Sequence, residues 1–481
     1  MNKKLSLLLS FILLIISLDA CTIGIAMPEA TANGRPIIYK NRDITSQSLE
    51  FETYNPSDGY HYAYNSYISN STAWMGVNEA GFGCVQSAAY NISSEGGSGL
   101  GNGNLINYVL RRCETVAEFQ AILDSTNATG RSTAANYAVF DAYGNGAMFE
   151  CANWEYARYE PDENGIITRG NFSYIGSSAR RGLERMNRAH ELMTAAFEDD
   201  SLDPKFIGMH VVADLERTGN DPYPLPFTGS FPGCPAGWVD CDSSNIETIN
   251  NEQTLCSGVI QGVAPGENPD LSHMYCYFAC PAVSVPFVIF PASETQPEDG
   301  RGYGGALRPL CFDRYDDAFH SGDETLFDTH VLVDPDGGGI WEYSRPINRW
   351  AYDTVETAID IWLDSPPATE ELAEFQDTVM ARVLRAYGEG YPVSIGEEKS
   401  TMPEEVAIKA YPNPFNSAIT IDRPENRQIQ ILDIKGNLVD ELALGEEKWH
   451  PEDDIGSGIY IIHTSREKLG LLRDRRIIYI K

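Results

Sequence analysis

The chain has 481 residues, room for one large domain and one small one, and its 42% hydrophobic and 11% aromatic content excludes a disordered or fibrous class. A formal net charge of −34 excludes nucleic acid or an anionic membrane surface as partner. The same acidity helps keep an exported protein soluble.

In chain order, residues 1–20 read as an export signal. Lys3 and Lys4 form its basic end, and Leu5 to Ile16 an apolar stretch shorter than a membrane span needs. Leu18-Asp19-Ala20 then stands directly before Cys21. No later run is apolar enough to cross a bilayer, so no stable membrane span is expected. Thr22 to Ala26 and Pro36 to Tyr39 look like strands joined by a turn at Asn33-Gly34, and Trp74 to Gln86 like a second hairpin. A helix fits Asn104 to Cys113. Another fits Thr115 to Leu123, where Glu118 follows Thr115 as in a capping box. Asn136 to Asp141 and Ala147 to Cys151 form a third hairpin, and Ala179 to Phe197 is a charged amphipathic helix. Gly258 to Val263 and Val283 to Ile289 are strand-like, and Thr369 to Tyr387 is helical. Strand pairs alternating with helices give an α+β layered domain over residues 21–390. A linker follows at 391–404, and short strands with tight turns give a small all-β sandwich at 405–481.

Ten cysteines are spread unevenly, six of them between Cys234 and Cys311. In an oxidising compartment those six could supply disulfides whose pairing sequence does not reveal. Cys276 and Cys280 have helical i, i+4 spacing that a metal site could use. No His-rich or paired Cys-x-x-Cys context supports it, so no metal and no cofactor is expected.

A cysteine placed first in a mature chain carries two useful groups on one residue. Its thiolate is a strong nucleophile, and its own α-amine, with an ordinary pKa of about 7.7–8.0, can take the thiol proton at neutral pH. Such a site needs oxyanion donors and a group that holds the amine. The turn at Asn33-Gly34 brings Lys40-Asn41-Arg42-Asp43 back beside Cys21, so Asp43 is a candidate to reach the amine.

The Cys21-Thr22 opening and its return to Asn41-Arg42-Asp43 resemble the linear-amide hydrolases with an N-terminal cysteine. That group includes the isopenicillin-N acyltransferase and carcinine hydrolase relatives, the choloylglycine hydrolases and the N-terminal-cysteine dipeptidases. Further matches follow in order: Trp74 to Phe82, Asn136 to Ala142 with Glu150, and Asn171-Phe172 before Arg180, Arg181 and Arg185. The resemblance implies a four-layer αββα fold of the N-terminal nucleophile class. It also implies an amidohydrolase, acyltransferase or dipeptidase acting on a small amide or short peptide. By the same resemblance Cys21 is the nucleophile, Asp43 the acid that binds the amine, Asn136 an oxyanion-hole residue, and Arg180 or Arg181 the bracing arginine. Lys40, Asn41, Gln86, Asn91 and Asn171 are candidates to line the substrate site. Choloylglycine hydrolases place an arginine where this chain has Lys40, which weakens a bile-salt reading. Short peptides, N-acyl amino acids, β-alanyl amines and penicillin-like amides all remain open.

Leu18-Asp19-Ala20-Cys21 also fits a bacterial lipoprotein box, in which lipidation of Cys21 would leave a non-catalytic surface binding protein. Near the other end, Tyr411-Pro412-Asn413-Pro414-Phe415 with Ile431 to Gly436 and Gly458 to Ile461 resembles the C-terminal sorting domain of the type IX secretion system. That resemblance implies contact with the secretion machinery and a secreted or cell-surface location.

Overall fold

The structure, a computed structural model, describes residues 20–93, 95–217, 221–231, 233–241, 248–319 and 325–390. Beyond them it describes 409–411, 417–422, 429–433, 438–443, 448–451, 455, 458–464 and 475–479. Residues 1–19, expected to belong to an export signal, and 391–404, expected to be a linker, lie outside that set. The chain divides into two compact units, Met1–Val393 and Ser394–Lys481.

The first unit opens with β1 (Cys21–Ala26), β2 (Ile37–Asp43), β3 (Leu49–Tyr54), β4 (Tyr62–Tyr67), β5 (Asn70–Asn78) and β6 (Gly83–Ala88). Helices α1 (Asn102–Leu110) and α2 (Val116–Thr129) follow, then β7 (Ala135–Phe140), β8 (Gly146–Cys151), β9 (Tyr156–Tyr159) and β10 (Ile166–Arg169). Next come α3 (Leu183–Glu198), α4 (Pro204–Phe206), β11 (Trp238–Asp240), β12 (Thr254–Gln261), β13 (His273–Phe278) and β14 (Phe287–Ile289). The unit closes with α5 (Leu307–Ala318), β15 (Leu326–Asp328), α6 (Trp341–Trp362) and α7 (Thr369–Glu389).

Two antiparallel sheets dominate, one ordered β10-β1-β2-β12-β13-β14 and the other β3 through β9 in sequence. Strands β1 and β2 pack face to face on β6 and β7, while α1 covers β5 and β6, and α3 covers β10 and β1. The order is helix, sheet, sheet, helix, an α+β fold of four layers. The period of two explains why both sheets are buried on both faces. Met75, Val77, Val85 and Ala138 join the core between the sheets, while Cys84, Tyr137, Val139 and Phe149 join the core under α1 and α2. Thr115 caps α2 with the reciprocal Thr115–Glu118 capping box that the sequence indicates.

Several local expectations are corrected. The link from β1 to β2 is longer than a two-residue turn, with a 3-10 turn at Pro28–Ala30 before Gly34. The strand expected from Val283 begins only at Phe287, since Pro286 has no N–H for the ladder. The helix expected from Ala179 begins at Leu183, because Gly182 adopts a left-handed φ of 78° just before it. Cys276 lies in strand β13 and Cys280 beyond its end, so their spacing is not helical and does not bring the thiols together. Cys21, Cys84, Cys113, Cys151, Cys241, Cys256, Cys276, Cys280 and Cys311 are buried, reduced thiols and form no disulfide.

The second unit contains β16 (Lys409–Tyr411), β17 (Ile419–Asp422), β18 (Ile429–Asp433), β19 (Leu438–Leu442), β20 (Lys448–Trp449), β21 (Gly458–Thr464) and β22 (Arg475–Tyr479). They form a three-stranded sheet, β16-β17-β20, and a four-stranded one, β19-β18-β21-β22. Their shared core is Ile419, Ile421, Ile429, Ile431, Leu442, Trp449, Tyr460 and Ile462.

Candidate active site

Cys21 is the first residue of β1, and its side chain is only 4% exposed. Strand β1 pairs antiparallel with β2 so that Cys21 faces Arg42 and Ile23 faces Lys40. Facing residues share a side of the sheet, so Cys21, Lys40 and Arg42 all project into the space between the two sheets. Asn41 and Asp43 project to the other side. One strand thus supplies two environments.

On the inner side, the Lys40 ammonium donates to Cys21 Sγ at 3.2 Å and also to the backbone carbonyl of Gln86. Lys40 is fully buried. It is the carbonyl of Gln86 that takes part here. The register of β6 sends its side chain to the side opposite Ser87, where Oε1 is buried without a hydrogen-bond partner among the described residues.

On the backbone side, the Cys21 nitrogen donates to Asn171 Oδ1 at 2.6 Å. That nitrogen would be the α-amine of a chain cut before residue 21. Arg185 Nη2 donates to the same oxygen at 2.8 Å, and Arg185 Nε to Thr22 Oγ1 at 3.2 Å. Asn171 is fixed from its other end, its Nδ2 donating to the Ala88 carbonyl at 3.0 Å. Asp43 accepts from Asn251 at 2.8 Å and from Thr254 at 2.7 Å. Burial pushes its carboxyl up to about 6, against the pull of Arg185, those two hydrogen bonds and Lys40. Asp43 is therefore tied to the Cys21 nitrogen through the charge on Arg185 and through Asn171.

The remaining sequence-predicted residues divide by depth. Asn136 is buried behind Asn171, donating to Ser87 Oγ at 3.1 Å and to the Phe172 carbonyl at 3.0 Å, and accepting from Ser173 Oγ at 2.5 Å. Asn41 donates to the Val212 and Ile249 carbonyls, each at 2.9 Å, and accepts from Ser257 at 2.7 Å. Asn91 braces the 173–177 loop and lines a surface depression of about 430 Å³ with Trp154 and Ile175. Arg180 and Arg181 are half-buried before α3, the first over the rings of Phe172 and Tyr174 and the second over Tyr90. The arginine that reaches the Cys21 network is Arg185, wholly buried in the first turn of α3. Placing the start of the helix at Gly182 would have identified it. Asn251 and Thr254, the partners of Asp43, carry no sequence signal.

The first unit is similar in structure to three solved proteins of low identity. A variant of conjugated bile acid hydrolase from Clostridium perfringens is 13% identical, with 53% of this chain and 89% of that one covered at a TM-score of 0.34. Penicillin V acylase from Agrobacterium tumefaciens is 16% identical, with 56% and 86% covered at 0.34. An N-acylethanolamine-hydrolyzing acid amidase ortholog from Caenorhabditis elegans is 13% identical, with 51% and 93% covered at 0.32. No curated protein matches the chain. Residues 409–478 match the secretion system C-terminal sorting domain, which marks this chain for export by the type IX route to the cell surface or medium.

Proposed function

We propose that residues 21–390 form an exported cysteine amidohydrolase, that residues 1–20 are removed as a signal, and that Cys21 is the nucleophile. The observation that carries this reading is the double engagement of one residue. The Cys21 nitrogen is held by Asn171 Oδ1 at 2.6 Å, while its thiol sits 3.2 Å from a buried ammonium. A cation beside a thiol favours the thiolate. Lipidation of Sγ with acylation of the nitrogen would disrupt both of these contacts, which weighs against the lipoprotein reading.

In this mechanism the free α-amine of Cys21 takes the Sγ proton, and the thiolate adds to the amide carbonyl carbon. The C–N bond then breaks as the amine nitrogen of the substrate takes up the proton, leaving a thioester on Cys21. Water, deprotonated by the same α-amine, adds to the thioester and releases the acid and the thiol. Asn171 and Arg185 position the amine, and Lys40 stabilises the sulfur anion. The mass and N-terminal sequence of exported protein test the premise. A chain starting at an unblocked Cys21 is expected, and a lipidated or acylated end would sink the proposal.

Asp43 sets the pH dependence. The α-amine becomes an ammonium when it accepts the thiol proton, next to Lys40 and Arg185. The negative charge of Asp43 offsets those cations, and that charge is lost as pH falls through about 6. The amine acts as a base only while neutral, and an unperturbed α-amine protonates at about 8. We expect kcat/KM to fall in inverse proportion to proton concentration below about 8, and more steeply below about 6. A pH–rate profile of Asp43→Asn should keep the upper break, that of the amine, and lose the one near 6.

A further inference from the structure

Arg42 stands directly across the β1–β2 ladder from Cys21. Facing side chains in an antiparallel pair start from Cβ atoms about 5 Å apart, so thiol and guanidinium open onto the same space. Arg42 is 2% exposed. The Tyr67 ring lies 4.2 Å from its guanidinium carbon and the Trp74 ring 4.9 Å, next to an irregularity in the β4–β5 pairing between Asn65 and Tyr67. Nη1 donates to Asn65 Oδ1 at 2.6 Å. Nη2 is buried and has no hydrogen-bond partner among the described residues.

No carboxylate among the described residues lies within 4.0 Å of Arg42 or of Lys40. Cys256, which faces Arg42 from β12, brings no charge, because burial pushes its thiol up to about 11. Two buried cations therefore share the inner face with the thiol, in a chain whose net charge is −34. A buried guanidinium lacking an anion is costly, and its planar fork matches a carboxylate. The rings occupy its faces and Asn65 takes one edge. The Cys256 thiol also lies against the guanidinium, and Nη2 is the nitrogen left for a ligand.

We propose that Arg42 is a substrate-recognition residue that receives a carboxylate carried by the amide substrate close to the scissile bond. The substrates are then anionic amides, such as N-acyl amino acids or short peptides with a terminal carboxylate. This inference rests on the reading of Cys21 as the nucleophile.

Two matched probe pairs test it on the full chain beginning at Cys21. The first compares alkylation of Cys21 by iodoacetate and by its neutral counterpart iodoacetamide, followed by peptide mass and referred to the same ratio for a small thiol in solution. The second compares kcat/KM for an N-acylglycine and for the corresponding N-acylethanolamine. Both ratios should favour the carboxylate by roughly tenfold or more, the range of a charge-assisted hydrogen bond. Arg42→Gln should bring both ratios down toward the solution reference, and Arg42→Lys should keep part of the preference. The kcat/KM ratio is read only from turning-over enzyme, so a partly folded variant does not distort it, and the alkylation ratio is taken beside a circular-dichroism melt that shows the variant folded. A wild-type protein that shows no preference overturns the anion subsite, and hydrolysis of either amide would leave the nucleophile reading standing. A preference that survives Arg42→Gln also overturns the assignment. A Cys21 inert to both reagents, with neither amide cleaved, overturns this inference together with the proposed function.

Discussion

Cys21→Ala should reduce amide hydrolysis to below about one percent of wild type while leaving a folded protein. Its thiol is the proposed acyl carrier, and without it the thioester on Cys21 cannot form. The structural cost should be modest, of the order of 1 kcal/mol, because only one sulfur atom leaves a strand otherwise held by both ladder partners. Lys40 keeps its bond to the Gln86 carbonyl. A thermal melt by circular dichroism measured beside the activity assay separates lost chemistry from lost fold. Activity above that level in a folded Ala variant would rule out covalent catalysis by this residue.

One added residue before Cys21 should be nearly as damaging. It turns the α-amine into an amide, which keeps an N–H for Asn171 Oδ1 but cannot accept a proton. The thiol stays beside Lys40, so alkylation of Cys21 should persist while turnover falls by roughly 10²–10⁴, the contribution of a positioned base. A Met-Cys protein serves only if intact mass shows the Met retained. Equal turnover from the native and extended ends would move the base elsewhere. Among the described residues none of His61, His190 and His210 has a hydrogen bond or ion pair to Cys21, and His190 faces Asp162. His210 stacks on Phe206 with its pKa lowered to about 4 by burial, and His61 lies within reach of Glu79 and Glu294.

The elements easiest to read from sequence were those whose signal is local. The capping box at Thr115 and Glu118 needs only the spacing of two residues, and it forms as written. Strands β7 and β8 announce themselves by apolar runs on either side of a Gly-rich turn, and they pair from Ala135 with Cys151 to Phe140 with Gly146. Helix α6 was not legible. Pro346 lies within it, and its inward face mixes Tyr343, Asn348 and Tyr352 with aliphatic residues, so neither propensity nor period singles it out. Strand β13 was missed as well, because a strand buried on both faces lacks alternation.

By itself the sequence set out the expected order of parts: an export signal, a layered α+β domain expected to open at a cysteine, and a small β module that matches a secretion sorting domain. It also marked Cys21, Lys40, Asp43 and Asn171, since strand ends and turns place such residues through short-range rules. Only the tertiary structure decided which of them meet. The parity of β2 sends Lys40 and Arg42 toward the thiol and Asp43 to the opposite face, where it balances Arg185. The start of α3 after Gly182, not after Ser178, selects Arg185 over Arg180 and Arg181 as the buried arginine. The partners that complete the site come from 150 positions away in the chain at Asn171 and from over 200 at Asn251 and Thr254. No local pattern encodes contacts of that span, because they are fixed by how two sheets and their covering helices pack together.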